Sequence, residues 1–432
     1  MFPRAALPCL LLLLTACGGR RTPTGPGSPP DALDDGWAVA SLEDEDMPRS
    51  WLDWLEHDVA EGKMEVPESV LIARHGKLVY ERYWNDVTRE QAHDLRSATK
   101  SVTSLLVGMA HERGILPDLD APVLSFLPDL APVRNPDPRK DRITLRHLLE
   151  MRSGLACDDW DARSPGNEEK MYDTDDWARF MVDVPMKDEP GTVTRYCTGG
   201  VVLLGAVLER ASGMSIPELS RQWLFQPLGV EHFDWEPAGK RGTDTGGHLR
   251  LRTRDFLKLG QVYLDGGTWH GERLVSEAWV SESGAPHSTL GDARYGRLWW
   301  STRFVVQGQP VEVTFARGNG GQYVFVAPSL GLTAAFTASH YNGAGSALPL
   351  ALFGGYVLPA ALGGERAGPS KPGLNTQTQA SLTEAEVRTM RPPMPYTSRA
   401  DLMGMKSTPS NLGSSSSSYM WSKTLLFTIN MP

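Results

Sequence analysis

Ser97-Ala98-Thr99-Lys100 places a hydroxyl and an amine three residues apart. On a helix that spacing puts both side chains on one face about a turn apart, close enough for a neutral lysine to take the serine proton. The strongly apolar run SVTSLLVGMA follows directly. A helix opening there would favour negative charge beside Ser97 and lower the ammonium pKa of Lys100. An SxxK pattern alone carries little, since about one arises by chance in a chain this rich in serine, and a capping serine with a solvated lysine fits it too.

The elements that must hold this pair follow from the hydropathy pattern. Val70–Ala73 and Leu78–Tyr83 are apolar and aromatic runs around Arg74-His75-Gly76-Lys77, which predicts a hairpin. Over Asp94–Arg113, Val102, Leu105, Leu106, Met109 and Ala110 fall at helical spacing and stop at Gly114, so the SxxK motif opens a half-buried helix just after two strands. Helical patterns at Ile143–Met151, Thr174–Val182, Gly199–Ala211, Ile216–Phe225 and Arg254–Leu264 predict a mostly helical lobe over about 116–260. Tyr295–Arg303, Gln309–Phe315, Gln322–Ala327 and Leu332–Thr337 then read as an antiparallel meander, with Ser346–Leu362 as a closing helix. The expected class is α+β: one antiparallel sheet assembled from both ends of a domain at 51–363, flanked by helices, with the helical lobe inserted between its halves.

LRSATKSVTSLLVGMA around Ser97, ITLRHLLEMRSGL (Ile143–Leu155) and PGTVTRYCTGGVVLLGAVLERASG (Pro190–Gly213) resemble successive blocks of the serine beta-lactamase-like superfamily. GGHLRLRTRDFLKLGQVYLDGG (Gly246–Gly267), YGRLWW (Tyr295–Trp300) and RGNGGQYVFVAPSLGL (Arg317–Leu332) continue the resemblance in order, from about Pro67 to Leu362. The similarity is closer to the class C-related esterase and 6-aminohexanoate-dimer hydrolase branch. It implies Ser97 as acylated nucleophile, Lys100 as its partner and Tyr196 as the tyrosine of a YxN-type motif. Tyr196 unaided reads as a buried aromatic. Beside a cationic Lys100 it would part with its proton more readily, and either group can then serve as general base. Thr198 stands where many relatives carry Asn. Ala316-Arg317-Gly318 stands where penicillin-binding relatives carry KTG, which disfavours antibiotic hydrolysis and leaves Arg317 to pair with an acidic substrate group. Gly318 would admit a close strand, and the Asn319 backbone N–H is the candidate second oxyanion donor beside that of Ser97.

The chain has 432 residues, 22% charged and 41% hydrophobic, with a net charge of −9, an ordinary globular balance. Nucleic acid is disfavoured as a partner because the basic residues do not cluster. Arg250, Arg252 and Arg254 read as a solvated face, and Asp158-Asp159 and Glu43–Asp46 as solvated loops. Met1–Ala16 carries a basic start and the apolar run Ala5–Leu14, the pattern of an export signal. Leu14-Thr15-Ala16-Cys17 resembles a bacterial lipobox, which makes Cys17 the lipidated residue and places the protein, lipid-anchored, in the cell envelope. A flexible linker is expected over 17–50 and a disordered tail over 364–432. Export leaves Cys157 and Cys197 as a candidate disulfide, with two buried free thiols as the other reading. Trp160, Tyr172, Trp177 and Trp235 are cleft candidates, although core packing is the commoner fate of such residues. No histidine spacing suggests a metal site, and no cofactor motif is present.

The expected activity is hydrolysis of a small ester, amide or short peptide through an acyl-enzyme on Ser97. A D-alanyl-D-alanine peptidase or beta-lactamase, and a catalytically silent envelope-binding scaffold, are the alternatives.

Overall fold

In this computed structural model the described residues are 29–366 apart from 292 and 365, so the signal segment, Cys17 and nearly all of the 364–432 tail lie outside them. The chain enters through β1 (Ala38–Val39) and helix α1 (Ser50–Ala60), then forms the hairpin of β2 (Ser69–Arg74) and β3 (Lys77–Tyr83). His75 and Gly76 close that hairpin at φ 47° and 79°, the left-handed pair that a two-residue turn matched to strand twist requires. Next come β4 (Ala92–Asp94), α2 (Thr99–Glu112), α3 (Leu145–Leu149), α4 (Glu168–Tyr172), α5 (Trp177–Asp183), α6 (Thr198–Ser212) and α7 (Ile216–Ser220). After them lie β5 (Asp234–Trp235), β6 (Leu249–Arg252), α8 (Thr253–Leu264), a small hairpin of β7 (Thr268–Trp269) and β8 (Glu272–Arg273), and α9 (Glu277–Gly284). The strands β9 (Ser288–Leu290), β10 (Ala293–Tyr295), β11 (Trp300–Val306), β12 (Gln309–Gly318), β13 (Gln322–Ala327) and β14 (Leu332–Thr337) complete the sheet.

The main sheet has nine strands in the order β1-β3-β2-β14-β13-β12-β11-β10-β9. Its two halves meet where β2 pairs antiparallel with β14, Ser69 opposite Thr337 and Ala73 opposite Thr333. One sheet is therefore built from both ends of the domain, as the strand and helix pattern predicts. Every adjacent pair is antiparallel except β1 with β3. Closing turns over Ala344–Ala361 cover one face, with Phe353 stacked on Phe325 of β13 at 4.3 Å.

Several expectations are corrected. The segment read as linker over 17–50 is packed where it is described: Trp37, Leu42 and Met47 are buried, and the Trp37 indole N–H donates to the Arg254 carbonyl at 3.1 Å. Arg254 does not belong to a solvated face. It is 2% exposed and fixes this segment by pairing with Asp35 at 2.8 Å and with Glu81 at 2.6 Å. Glu45, in the stretch read as a solvated acidic loop, is buried against Lys77 and His75. Helix α8, grouped with the helical lobe on its periodicity, packs on β2, β13 and β14 of the main sheet. A Cβ at Gly260 would lie 2.1 Å from Thr333 Oγ1, so a mid-helix glycine is what lets α8 approach the sheet. The short strands β4, β6 and β5 form a separate three-stranded sheet that the sequence pattern did not signal.

Candidate active site

Ser97 sits in a 3-10 turn, Arg96–Ala98, that runs into the N-terminus of α2. Helical spacing then brings Lys100 back to it: Lys100 Nζ donates to Ser97 Oγ at 3.0 Å and to the Gly246 carbonyl at 2.6 Å. Lys100 is 1% exposed, and its Nζ lies 5.0 Å from the centroid of the Tyr196 ring. The three residues that the SxxK spacing and the resemblance single out thus converge. Burial alone would lower the Lys100 pKa, but Tyr196, Glu168, Asp159 and Asp244 together carry it above its ordinary value. This corrects the expectation of a depressed lysine pKa, because the surrounding acidic groups outweigh burial.

Tyr196 is held from several sides. Its ring packs against Trp160, nearly parallel at 5.5 Å, and against Trp300 at 5.9 Å. The Asp159 backbone N–H donates to the Tyr196 carbonyl at 2.9 Å, and the Asp159 carboxylate accepts the N–H of Thr198 at 2.6 Å and of Glu168 at 3.0 Å. A Cys157–Cys197 disulfide joins the same two segments. Asp159 is only 5% exposed, so the solvated-loop reading fails for it. Burial and the nearby Glu168 hold its carboxyl well above the usual range despite the N–H donors.

The end of β12 closes the other side. A Cβ on Gly318 would lie 2.1 Å from the Leu95 carbonyl oxygen, so glycine is what admits this strand against the turn carrying Ser97. Arg317 lies over the Trp300 ring at 5.6 Å. Asn319 follows directly, its side chain turned away to bond Asn342 in both directions, Nδ2 to Oδ1 at 2.7 Å and Asn342 N–H to Oδ1 at 3.1 Å. Of the aromatic cleft candidates, Trp160 is 43% exposed, Tyr172 packs beside His248, and Trp177 and Trp235 are buried. Among the described residues no cluster of metal-ligating side chains occurs.

Behind Ser97 lies a polar chain that sequence reasoning missed. Asp94 Oδ1 accepts the Arg96 N–H at 2.9 Å, Arg96 Nη1 faces His248 Nε2 at 3.1 Å, and His248 Nδ1 meets Asp244 Oδ2 at 2.7 Å. Burial lowers the His248 pKa while Asp244 and Asp94 raise it, to about 9, whereas the Arg96 contact requires an unprotonated Nε2. Arginine can only donate, so the direct contact decides for the tautomer with its proton on Nδ1.

The family model described as Beta-lactamase matches residues 59–353. The chain belongs to the beta-lactamase family. The 6-aminohexanoate-dimer hydrolase of Paenarthrobacter ureafaciens is 24% identical over 314 residues, covering 67% of this chain and 74% of that enzyme. Esterase EstB of Burkholderia gladioli is 32% identical over 177 residues, 37% of this chain and 44% of the esterase. The crystal structure of a family VIII carboxylesterase shares the fold with a TM-score of 0.56 at 18% identity, covering 75% of this chain and 98% of that one. This beta-lactamase-family protein is a hydrolase of the serine class.

Proposed function

We propose that the protein hydrolyses a small ester or amide through an acyl-enzyme on Ser97. The contact that carries this reading is Lys100 Nζ at 3.0 Å from Ser97 Oγ, with the Tyr196 ring 5.0 Å from the same ammonium. Because Lys100 Nζ donates to both Ser97 Oγ and the Gly246 carbonyl, Tyr196 takes the base role that the sequence left open between the two. Ser97 Oγ attacks the carbonyl carbon as its proton passes to the phenolate oxygen of Tyr196, while the Lys100 ammonium compensates the charge on either oxygen. The Ser97 and Asn319 backbone N–H groups, with the α2 terminus behind Ser97, hold the oxyanion. Tyr196 then gives its proton to the leaving alcohol or amine. In the second half a water loses a proton to Tyr196, attacks the acyl carbon and releases the acid, and the proton returns to Ser97. Arg317 is the group that would meet an acidic end of the substrate.

Esters and amides rank above lactams because Ala316-Arg317-Gly318, which lacks the lysine, stands where penicillin-binding relatives carry KTG, and because relatives include a named esterase and a named 6-aminohexanoate-dimer hydrolase. Export through residues 1–16 and lipid attachment at Cys17 complete the proposal, placing the site in the cell envelope. Turnover of short p-nitrophenyl esters and anilides against a chromogenic cephalosporin tests it. The expected result is ester or anilide turnover that falls about 10³-fold or more in Ser97→Ala. Preferential cephalosporin turnover would instead establish a beta-lactamase, and no turnover of any would favour the silent scaffold.

A further inference from the structure

The loop Asp244–Leu249 runs along the start of α2 and touches it repeatedly. Thr103 Oγ1 donates to the Thr245 carbonyl at 2.7 Å, Lys100 Nζ to the Gly246 carbonyl at 2.6 Å, and the Leu249 N–H to Thr99 Oγ1 at 3.2 Å. At its head is Asp244, a carboxylate with 0% exposure whose two oxygens point to different tasks. Oδ1 accepts the Gly246 N–H at 3.0 Å, fixing the residue whose carbonyl accepts from Lys100. Oδ2 accepts the Nδ1–H of His248 at 2.7 Å, and the other His248 nitrogen accepts from Arg96 at 3.1 Å. Arg96 directly precedes Ser97, and its backbone sits at φ 48°; His248 sits at φ 57°. Both are left-handed, a region that side-chain-bearing residues occupy only when their surroundings enforce it.

We propose that Asp244 is a positioning residue that sets both halves of the site at once, aiming the Ser97 backbone N–H through His248 and Arg96, and the Lys100 ammonium through Gly246. The inference rests on Ser97 acting as the nucleophile. A buried carboxylate suits the task because its hydrogen bonds are strong and its loss leaves several buried donors unpaired. The Arg96 turn is where the effect concentrates. A shift of its φ rotates the Ser97 N–H away from the oxyanion, and a misplacement near 1 Å at a reacting group costs about 10²-fold in rate.

The two arms separate by mutation. Asp244→Asn keeps an oxygen for Gly246 N–H but presents an amide to His248, so the Arg96 arm fails. It also removes one of the acidic groups facing Lys100, leaving Tyr196, Glu168 and Asp159. His248→Ala cuts only the Arg96 arm. His248→Gln offers a donor toward Asp244 and an acceptor toward Arg96. The measurement is the rate of covalent labelling by a fluorophosphonate, run on the full chain beside Ser97→Ala, with the pH profile of kcat/KM on a p-nitrophenyl ester. Labelling in Asp244→Asn and His248→Ala should slow about tenfold or more, with His248→Gln recovering most of the rate. The alkaline limb of kcat/KM should move to lower pH in Asp244→Asn and stay in place in His248→Gln, because only the first loses a charge that keeps Lys100 protonated. Wild-type labelling in a folded Asp244→Asn with an unmoved alkaline limb would overturn the proposal. Should Asp244→Asn not fold, the His248 pair decides: wild-type labelling in His248→Ala, or no recovery in His248→Gln, would overturn it. A Ser97→Ala protein that labels like wild type would show that the nucleophile assignment, and with it this inference, has failed.

Discussion

Asp159 grips the backbone at Tyr196 and just after it, donating its N–H to the Tyr196 carbonyl at 2.9 Å and accepting the Thr198 N–H on its carboxylate at 2.6 Å. The tyrosine proposed as the proton carrier is thus fixed by main-chain bonds. Asp159→Ala leaves the buried N–H of Thr198 and that of Glu168 without their acceptor, which should cost about 2 kcal/mol of stability. The expected outcome in thermal melts and ester kinetics is a lower Tm with kcat reduced more than KM is raised. An unchanged kcat would mean that Tyr196 does not depend on this bracket.

The Cys157–Cys197 disulfide ties the same segments covalently across 40 residues of sequence. Reduction, or Cys157→Ser, should remove about 2–4 kcal/mol of stability by freeing that loop in the unfolded chain. It should also lower kcat, since the residue after Tyr196 loses its tether. Melting curves with and without dithiothreitol check the first effect, and turnover in the folded reduced protein checks the second.

How much of this could be read from the string differs by feature. The β2–β3 hairpin, the helix after Ser97 and the strands β13 and β14 follow local periodicity, so they were legible. Ser97 and Lys100 were legible as a spacing, and Tyr196 only through the resemblance. Asp159, Asp244 and Arg254 were not, because acidic and basic residues in turn-rich stretches look solvated until partners far along the chain bury them. Arg254 and Glu81 are 173 residues apart. The strands β4, β5 and β6 span two to four residues and carry no period to detect.

Glu81 gives the acid response. Burial raises its pKa, but Arg254 and Arg89 outweigh burial and hold the carboxyl below its ordinary value of 4.5. A depressed folded pKa means that the stabilisation is complete above about pH 4.5 and is lost as pH falls through the folded value. Stability should therefore drop on acidification below the ordinary value, and Glu81→Gln should flatten that drop. At neutral pH the same substitution leaves Arg254 partly unpaired and should cost about 3 kcal/mol. Denaturant midpoints measured between pH 3 and pH 7 on both proteins check the slope and the offset.

Gly318→Ala probes the approach of β12 to the nucleophile turn. With 2.1 Å between the new methyl and the Leu95 carbonyl oxygen, the strand must retreat. Overpacking of this kind costs about 1–3 kcal/mol. Ester turnover should fall about 10²-fold through displacement of the Asn319 N–H. Full activity in Gly318→Ala would exclude this strand end from the oxyanion site.

The most direct test of the central claim is intact-mass and peptide mapping of the full chain after brief reaction with a slowly deacylating ester. One acyl group per chain, on the tryptic fragment that contains Ser97 and absent from Ser97→Ala, is the predicted result. Acylation of another residue, or equal acylation of Ser97→Ala, would contradict it.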